Sequence, residues 1–234
     1  RKFNEYASQL DNTVVLGNSR PVVDALAFSH SSPQTDDTLT VNITSFWDHD
    51  DDPLNYEYAW YVNTNLVSEN TNSLDGQSSF GRGDNVEVVV SASDGTESSD
   101  SFTQSVLVAN SPPEGLVAII KPESPIEAQD DIVCEIHTEA TDPDDDVVDY
   151  AVSWQVDDNP SDGLNLVPYT GSPATTELTG DTIVSDLVAD YVYACTITPT
   201  DGEGLDGTTA TAQVTIAPDP CTSGAQSFSS RSGD

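Results

Sequence analysis

Two stretches decide how this chain folds: DHDDDPLNYEYAW, Asp48–Trp60, and DPDDDVVDYAVSW, Asp142–Trp154. Three alternate aspartates, a tyrosine and a tryptophan recur in both at a constant spacing of 94 residues. In each stretch an acidic head gives way to alternating apolar and polar positions that run to the tryptophan. Aspartate favours turns, whereas a period of two predicts a half-buried strand. The same loop-and-strand unit is therefore written twice, the mark of an internal repeat.

Outward from these stretches the repeat continues. NSRP (Asn18–Pro21) precedes the first copy and NSPP (Asn110–Pro113) the second. Leu39, Val41 and Ile43 form a strand pattern before the first loop, as Ile132, Cys134 and Ile136 do before the second. VEVVVSASDG (Val86–Gly95) answers to YACTITPTDG (Tyr193–Gly202), and further strand patterns close the units at Ser105–Val108 and Ala212–Ile216. The expected organisation is an extension or connecting strand over 1–17, a first repeat over 18–109, a second over 110–217, and a Ser/Gly-rich tail over 218–234. One strand pattern, Asn12–Leu16, falls in the extension.

The order of features predicts an all-β chain of two tandem immunoglobulin-like β-sandwich domains, and 234 residues suit two such domains of about 100 residues each. The second unit carries the internal marks of that fold. Cys134 falls on strand B, Trp154 on strand C and Cys195 on strand F, with Tyr193 two residues before the second cysteine. This order favours a Cys134–Cys195 disulfide; pairing of either residue with the third cysteine, Cys221, stays open on sequence alone. Leu39 and Val88 stand at the matching places in unit one, whose core would rest on packing without a disulfide.

Composition narrows the function. Net charge is −35, from 41 acidic and 6 basic residues. Nucleic acid is excluded as a partner, since phosphate neutralisation needs basic surface. No run reaches the roughly 18 apolar residues of a membrane span. The acidity fits cation sites, an acidic coat suited to high salt, or both; Lys2 and Lys121 are the only lysines. The chain begins at Arg1, which leads to the expectation of a removed leader or a longer parent protein.

Alternating aspartates on a loop turn several carboxylates toward one centre, the hard oxygen donors that Ca²⁺ prefers. These loops are not EF-hands: the sixth position holds Pro53 or Val147 instead of Gly, and the twelfth Ala59 or Ser153 instead of Glu. In a sandwich, the start of strand A, the B–C loop and the F–G loop share a pole. The expected ligand sets are thus Asn18, Asp48, Asp50, Asp52 and Asp94 in unit one, and Asn110, Asp142, Asp144, Asp146 and Asp201 in unit two. The second set is expected at the junction of the units, where a cation would relieve repulsion and stiffen the pair.

Both units resemble the PKD-like and cadherin-like repeats of bacterial and archaeal surface proteins, whose D-x-D-x-D loop runs into a Tyr- and Trp-bearing strand and is followed by S/T-D-G. Here those residues are Asp48–Trp60 with Ser93-Asp94-Gly95, and Asp142–Trp154 with Thr200-Asp201-Gly202. The resemblance spans residues 18 to 217. It implies an extracellular structural or adhesive role, as a surface filament, adhesin or surface-layer component stiffened by Ca²⁺. Its partners would be copies of itself or neighbouring repeats, and the end segments might-be joins by strand addition at a sheet edge. The alternative is a carbohydrate- or protein-binding accessory module of a secreted enzyme, reading surface glycans or proteins through Trp47.

Catalysis is not expected. The histidines His30, His49 and His137 lack metal-type spacing with cysteine, and no nucleophile elbow or phosphate loop occurs. Asn42-Ile43-Thr44 is an N-glycosylation sequon whose Asn42 alternates with inward residues. Arg82-Gly83-Asp84 spells a cell-attachment tripeptide but reads as a structural turn. Trp60 and Trp154 are expected in the cores.

Overall fold

The computed structural model describes residues 17–159, 163–171, 174–175 and 182–221. The strand expected over Asn12–Leu16 and most of the tail lie outside these residues. The chain divides into two compact units with the boundary between Ala109 and Asn110.

Unit one has seven strands: β1 (Val22–Phe28), β2 (Thr38–Trp47), β3 (Asn55–Val62), β4 (Asn65–Glu69), β5 (Ser73–Asp75), β6 (Asn85–Ser93) and β7 (Phe102–Leu107). They form two antiparallel sheets, β1-β2-β5 and β4-β3-β6-β7. These are the A-B-E and C′-C-F-G orders of an immunoglobulin-like sandwich. Strand β6 shows why: Val86, Val88, Val90 and Ala92 are at most 1% exposed, while the residues between them face outward. Each valine removed from water contributes roughly 1.5–3 kcal/mol. They close on Leu39, Val41 and Trp60, the last fully buried with its indole N–H donating to the Thr71 carbonyl at 2.8 Å. Asn63 and Thr64, both at positive φ, make the two-residue turn between β3 and β4, the handedness that matches strand twist.

Unit two has β8 (Val117–Lys121), β9 (Ile132–Thr138), β10 (Asp149–Asp157), β11 (Val167–Pro168), β12 (Ala174–Thr175), β13 (Thr182–Val184), β14 (Val192–Thr200) and β15 (Ala210–Thr215). Its sheets are β12-β13-β9-β8 and β11-β10-β14-β15. The Cys134–Cys195 disulfide ties β9 to β14 and so joins the two sheets, and Trp154 pairs with Cys195 across β10 and β14. Tyr193 is 3% exposed, and burial pushes its phenol up in pKa against a hydrogen bond from the Val188 backbone. A buried tyrosine two residues before the cysteine, bonded to backbone five residues upstream, is a tyrosine corner.

One alignment within the repeat needs correction. Leu39, Val41 and Ile43 follow the burial of Ile132, Cys134 and Ile136, so Val41 rather than Leu39 stands where Cys134 does. Val88 faces Trp60 as Cys195 faces Trp154, so that position stands as read.

Candidate metal centre

The loop of unit two curls around one carboxylate. Asp142 Oδ1 accepts hydrogen bonds from the N–H groups of Asp144 at 2.8 Å and Asp146 at 3.3 Å. Asp145, at φ 62°, supplies the left-handed step that lets the chain turn back; aspartate is among the few residues that visit this region. The other oxygen, Asp142 Oδ2, is buried without a hydrogen-bond partner, in a residue only 9% exposed. A buried polar atom in this condition is costly unless something else meets it.

What faces it is acidic. Carboxylate oxygens of Asp142, Asp146 and Asp201 lie within 4.8 Å of one another. Asp201 comes from the turn between β14 and β15 and is 4% exposed. Its Oδ1 accepts from the N–H groups of Leu205 and Glu203 at 2.8 and 2.9 Å, and its Oδ2 from the Asn110 amide at 2.5 Å. These bonds, the Leu205 N–H first, hold its pKa below the ordinary carboxylate range despite desolvation. Asp144 stands outside the group; its Oδ2 accepts from the Ser111 N–H at 2.7 Å and anchors the loop to the start of the unit.

Unit one repeats the scheme with a change. Asp48 Oδ1 accepts from the Asp50 N–H at 2.9 Å, Asp48 Oδ2 is buried and unpartnered, and Asp51 is left-handed at φ 57°. Here the grouped carboxylates are Asp48, Asp50 and Asp52, all from one loop and more exposed. Asp50 also accepts from the Ser19 N–H, as Asp144 does from Ser111. Asp94 stands outside this group: its carboxylate accepts from the N–H groups of Thr96 at 2.6 Å and Glu97 at 2.7 Å and from the Asn18 amide at 2.9 Å. Its pKa is held low, chiefly by the Glu97 N–H. Asn18 and Asn110 therefore serve as donors to the F–G aspartates, a role that residue type alone did not reveal.

Chemically, each group offers only carboxylate oxygens. Three negative charges at this spacing repel, and hard oxygen donors of this kind fit Ca²⁺ better than a soft or imidazole-seeking metal. The unpartnered Oδ2 of Asp142 and of Asp48 is the atom such an ion would satisfy.

The remaining singled-out residues fall elsewhere. Asn42 is exposed on β2, and Cys221 is an exposed free thiol. In the Arg82-Gly83-Asp84 turn, Asp84 uses both carboxylate oxygens, accepting from the Asn63 amide at 2.6 Å and the Gly81 N–H at 2.9 Å. That turn is structural. Trp60 and Trp154 are buried at 0% and 5%, whereas Trp47 is 45% exposed.

No family model matches the chain, and no curated protein matches it. Among solved structures it is similar to the N-terminal eight immunoglobulin domains of Down syndrome cell adhesion molecule. That match has 14% identity over 86% of this chain and a TM-score of 0.48, and the chain spans 25% of that protein's length. It is also similar to three N-terminal domains of the bacteriophage RB49 Highly Immunogenic Outer Capsid protein, at 11% identity over 83% of this chain and 70% of that one, TM-score 0.38. Fibronectin(III)-like modules of Clostridium thermocellum CbhA match at 13% identity, over 83% and 95% of the two chains, with a TM-score of 0.35. Among the described residues no helix is long and apolar enough to cross a membrane.

Proposed function

We propose that the chain is an extracellular structural or adhesive repeat protein, part of a surface filament, adhesin or surface layer, in which Ca²⁺ rigidifies the loop pole of each unit. One observation carries the cation: Asp142 Oδ2 is buried, lacks a hydrogen-bond partner and faces the carboxylates of Asp146 and Asp201. The same orphaned oxygen at Asp48 supports a second, more exposed site. The disulfide supports an oxidising compartment. Copies of the chain or neighbouring repeats are the partners in this reading, and no catalytic role is assigned.

Calorimetric melting in EGTA and then in Ca²⁺ tests it. At about a hundred times its dissociation constant, a ligand stabilises its unit by about 2.7 kcal/mol, or roughly 10–15 °C for a domain of about 100 residues. Asp142→Asn should abolish the rise for unit two. Without Ca²⁺ it should melt no lower than the parent, because a repelling charge has gone. Absence of a Ca²⁺ shift in the parent, or a full shift in the Asp48→Asn/Asp142→Asn double variant, would sink the cation reading.

The second reading, an accessory module that binds a glycan or protein for a secreted enzyme, is favoured by the exposure of Trp47.

A further inference from the structure

The acidic loops border an open cleft in each unit, and the two clefts are built from the same positions. In unit one the cleft, about 340 Å³, is lined by Phe46, Trp47, Asp48, Asp51, Asp52 and Leu54. Residues 94 positions on, among them Ala140, Thr141 and Asp145, line the cleft of unit two. The acidic floor is common to both, whereas the wall is not. Where unit two has the buried Ala140 and the small Thr141, unit one has Phe46 and Trp47, 54% and 45% exposed. Phe46 stands edge-on to Tyr56 at 6.0 Å and Trp47 lies 4.9 Å from the His49 ring. Two large aromatics left in water at the rim of a unit contribute little to its core. The sister cleft shows that the fold does not require them.

An aromatic wall over three carboxylates, in a chain of net charge −35, complements a group that is both planar and positive. Guanidinium has those properties: it stacks on an indole face and bonds carboxylates in pairs. A neutral sugar would use the rings but gain nothing from the charge. We infer that the unit-one cleft is a docking site for an arginine side chain of a partner protein, stacked on Trp47 and paired with Asp51 and Asp52. This gives a chemistry to the protein-binding reading above and does not depend on Ca²⁺. Because Asp48 and Asp52 line the cleft and also belong to the grouped carboxylates, Ca²⁺ and the arginine compete, and each weakens the other by the same factor.

The test is calorimetric titration of the whole chain with a tetra-arginine peptide at physiological salt, first in EGTA. Trp47→Ala is expected to weaken binding roughly fivefold or more, the scale of a lost cation–π contact, and tetra-lysine to bind less well than tetra-arginine. Asp51→Asn keeps a residue that tolerates the left-handed conformation and should also weaken binding. Asp145→Asn, the same charge change in unit two, should not. The inference is overturned if Trp47→Ala binds as the parent does or if Asp51→Asn and Asp145→Asn act equally. It is also overturned if cellotetraose binds through Trp47 and tetra-arginine does not. Should Ca²⁺ leave a Trp47-dependent affinity unchanged, the cleft stands and the competing cation site of unit one is what fails.

Discussion

Removing the disulfide should destabilise one half of this molecule and leave the other untouched. Cys134 and Cys195 are 61 residues apart in sequence. Closing a loop of that length takes about 14 cal/mol/K from the unfolded chain, or about 4 kcal/mol at room temperature. Both cysteines are fully buried, so replacing them with valine keeps the site apolar and confines the loss mainly to the cross-link. For a domain of about 100 residues the unfolding entropy is about 0.2 kcal/mol/K, which converts the loss to a fall of roughly 20 °C in melting temperature. Amide exchange followed by mass spectrometry resolves the units. The slowest amides of β9, β10 and β14 should lose protection by about a thousandfold, since about 1.4 kcal/mol is a factor of ten. Those of β2, β3 and β6 should not change. A loss shared by both units, or one below tenfold in unit two, would refute the reasoning.

Two further outcomes are expected. Thr64 is β-branched and sits at φ 72° in a two-residue turn, where left-handed geometry costs an L-residue roughly 1–2 kcal/mol; Thr64→Gly should therefore raise the melting temperature of unit one by a few degrees, and a fall would show the strain to be absent. The carboxyls of Asp94 and Asp201 are held below their ordinary pKa by backbone N–H groups, so their contribution is present above the unfolded value and disappears as pH falls through the lower folded value. Exchange of the Thr96, Glu97, Glu203 and Leu205 amides should stay slow down to the ordinary carboxylate range and quicken below it. Quickening near neutral pH would contradict this.

Much of the fold was legible because alternation reports directly on which face of a strand is buried. Val86, Val88 and Val90 needed no further information, and the order Cys134, Trp154, Tyr193, Cys195 fixed the sandwich in unit two. The aspartate loops were legible as loops. Which carboxylates converge was not, because that depends on which lone pair each backbone N–H takes. Asp144 and Asp94 are drawn aside by such bonds, and no spacing rule distinguishes them from Asp146 and Asp201. The shift of register between β1 and β2 at Ala25 and Ser45 was equally hidden. So was the need for glycine at position 76, where a Cβ would stand 2.3 Å from the Thr35 carbonyl oxygen. Tertiary neighbours impose both.

The left-handed aspartates Asp51 and Asp145 lie outside both grouped carboxylate sets, yet each shapes the loop that presents one. A duplicated gene segment that keeps this hinge can change its neighbours freely, since the turn survives any exchange of side chains around it. The paired loops thus behave as a chassis with interchangeable fittings. Whoever wishes to graft a new specificity onto this scaffold should preserve position 51 or 145 and vary the walls.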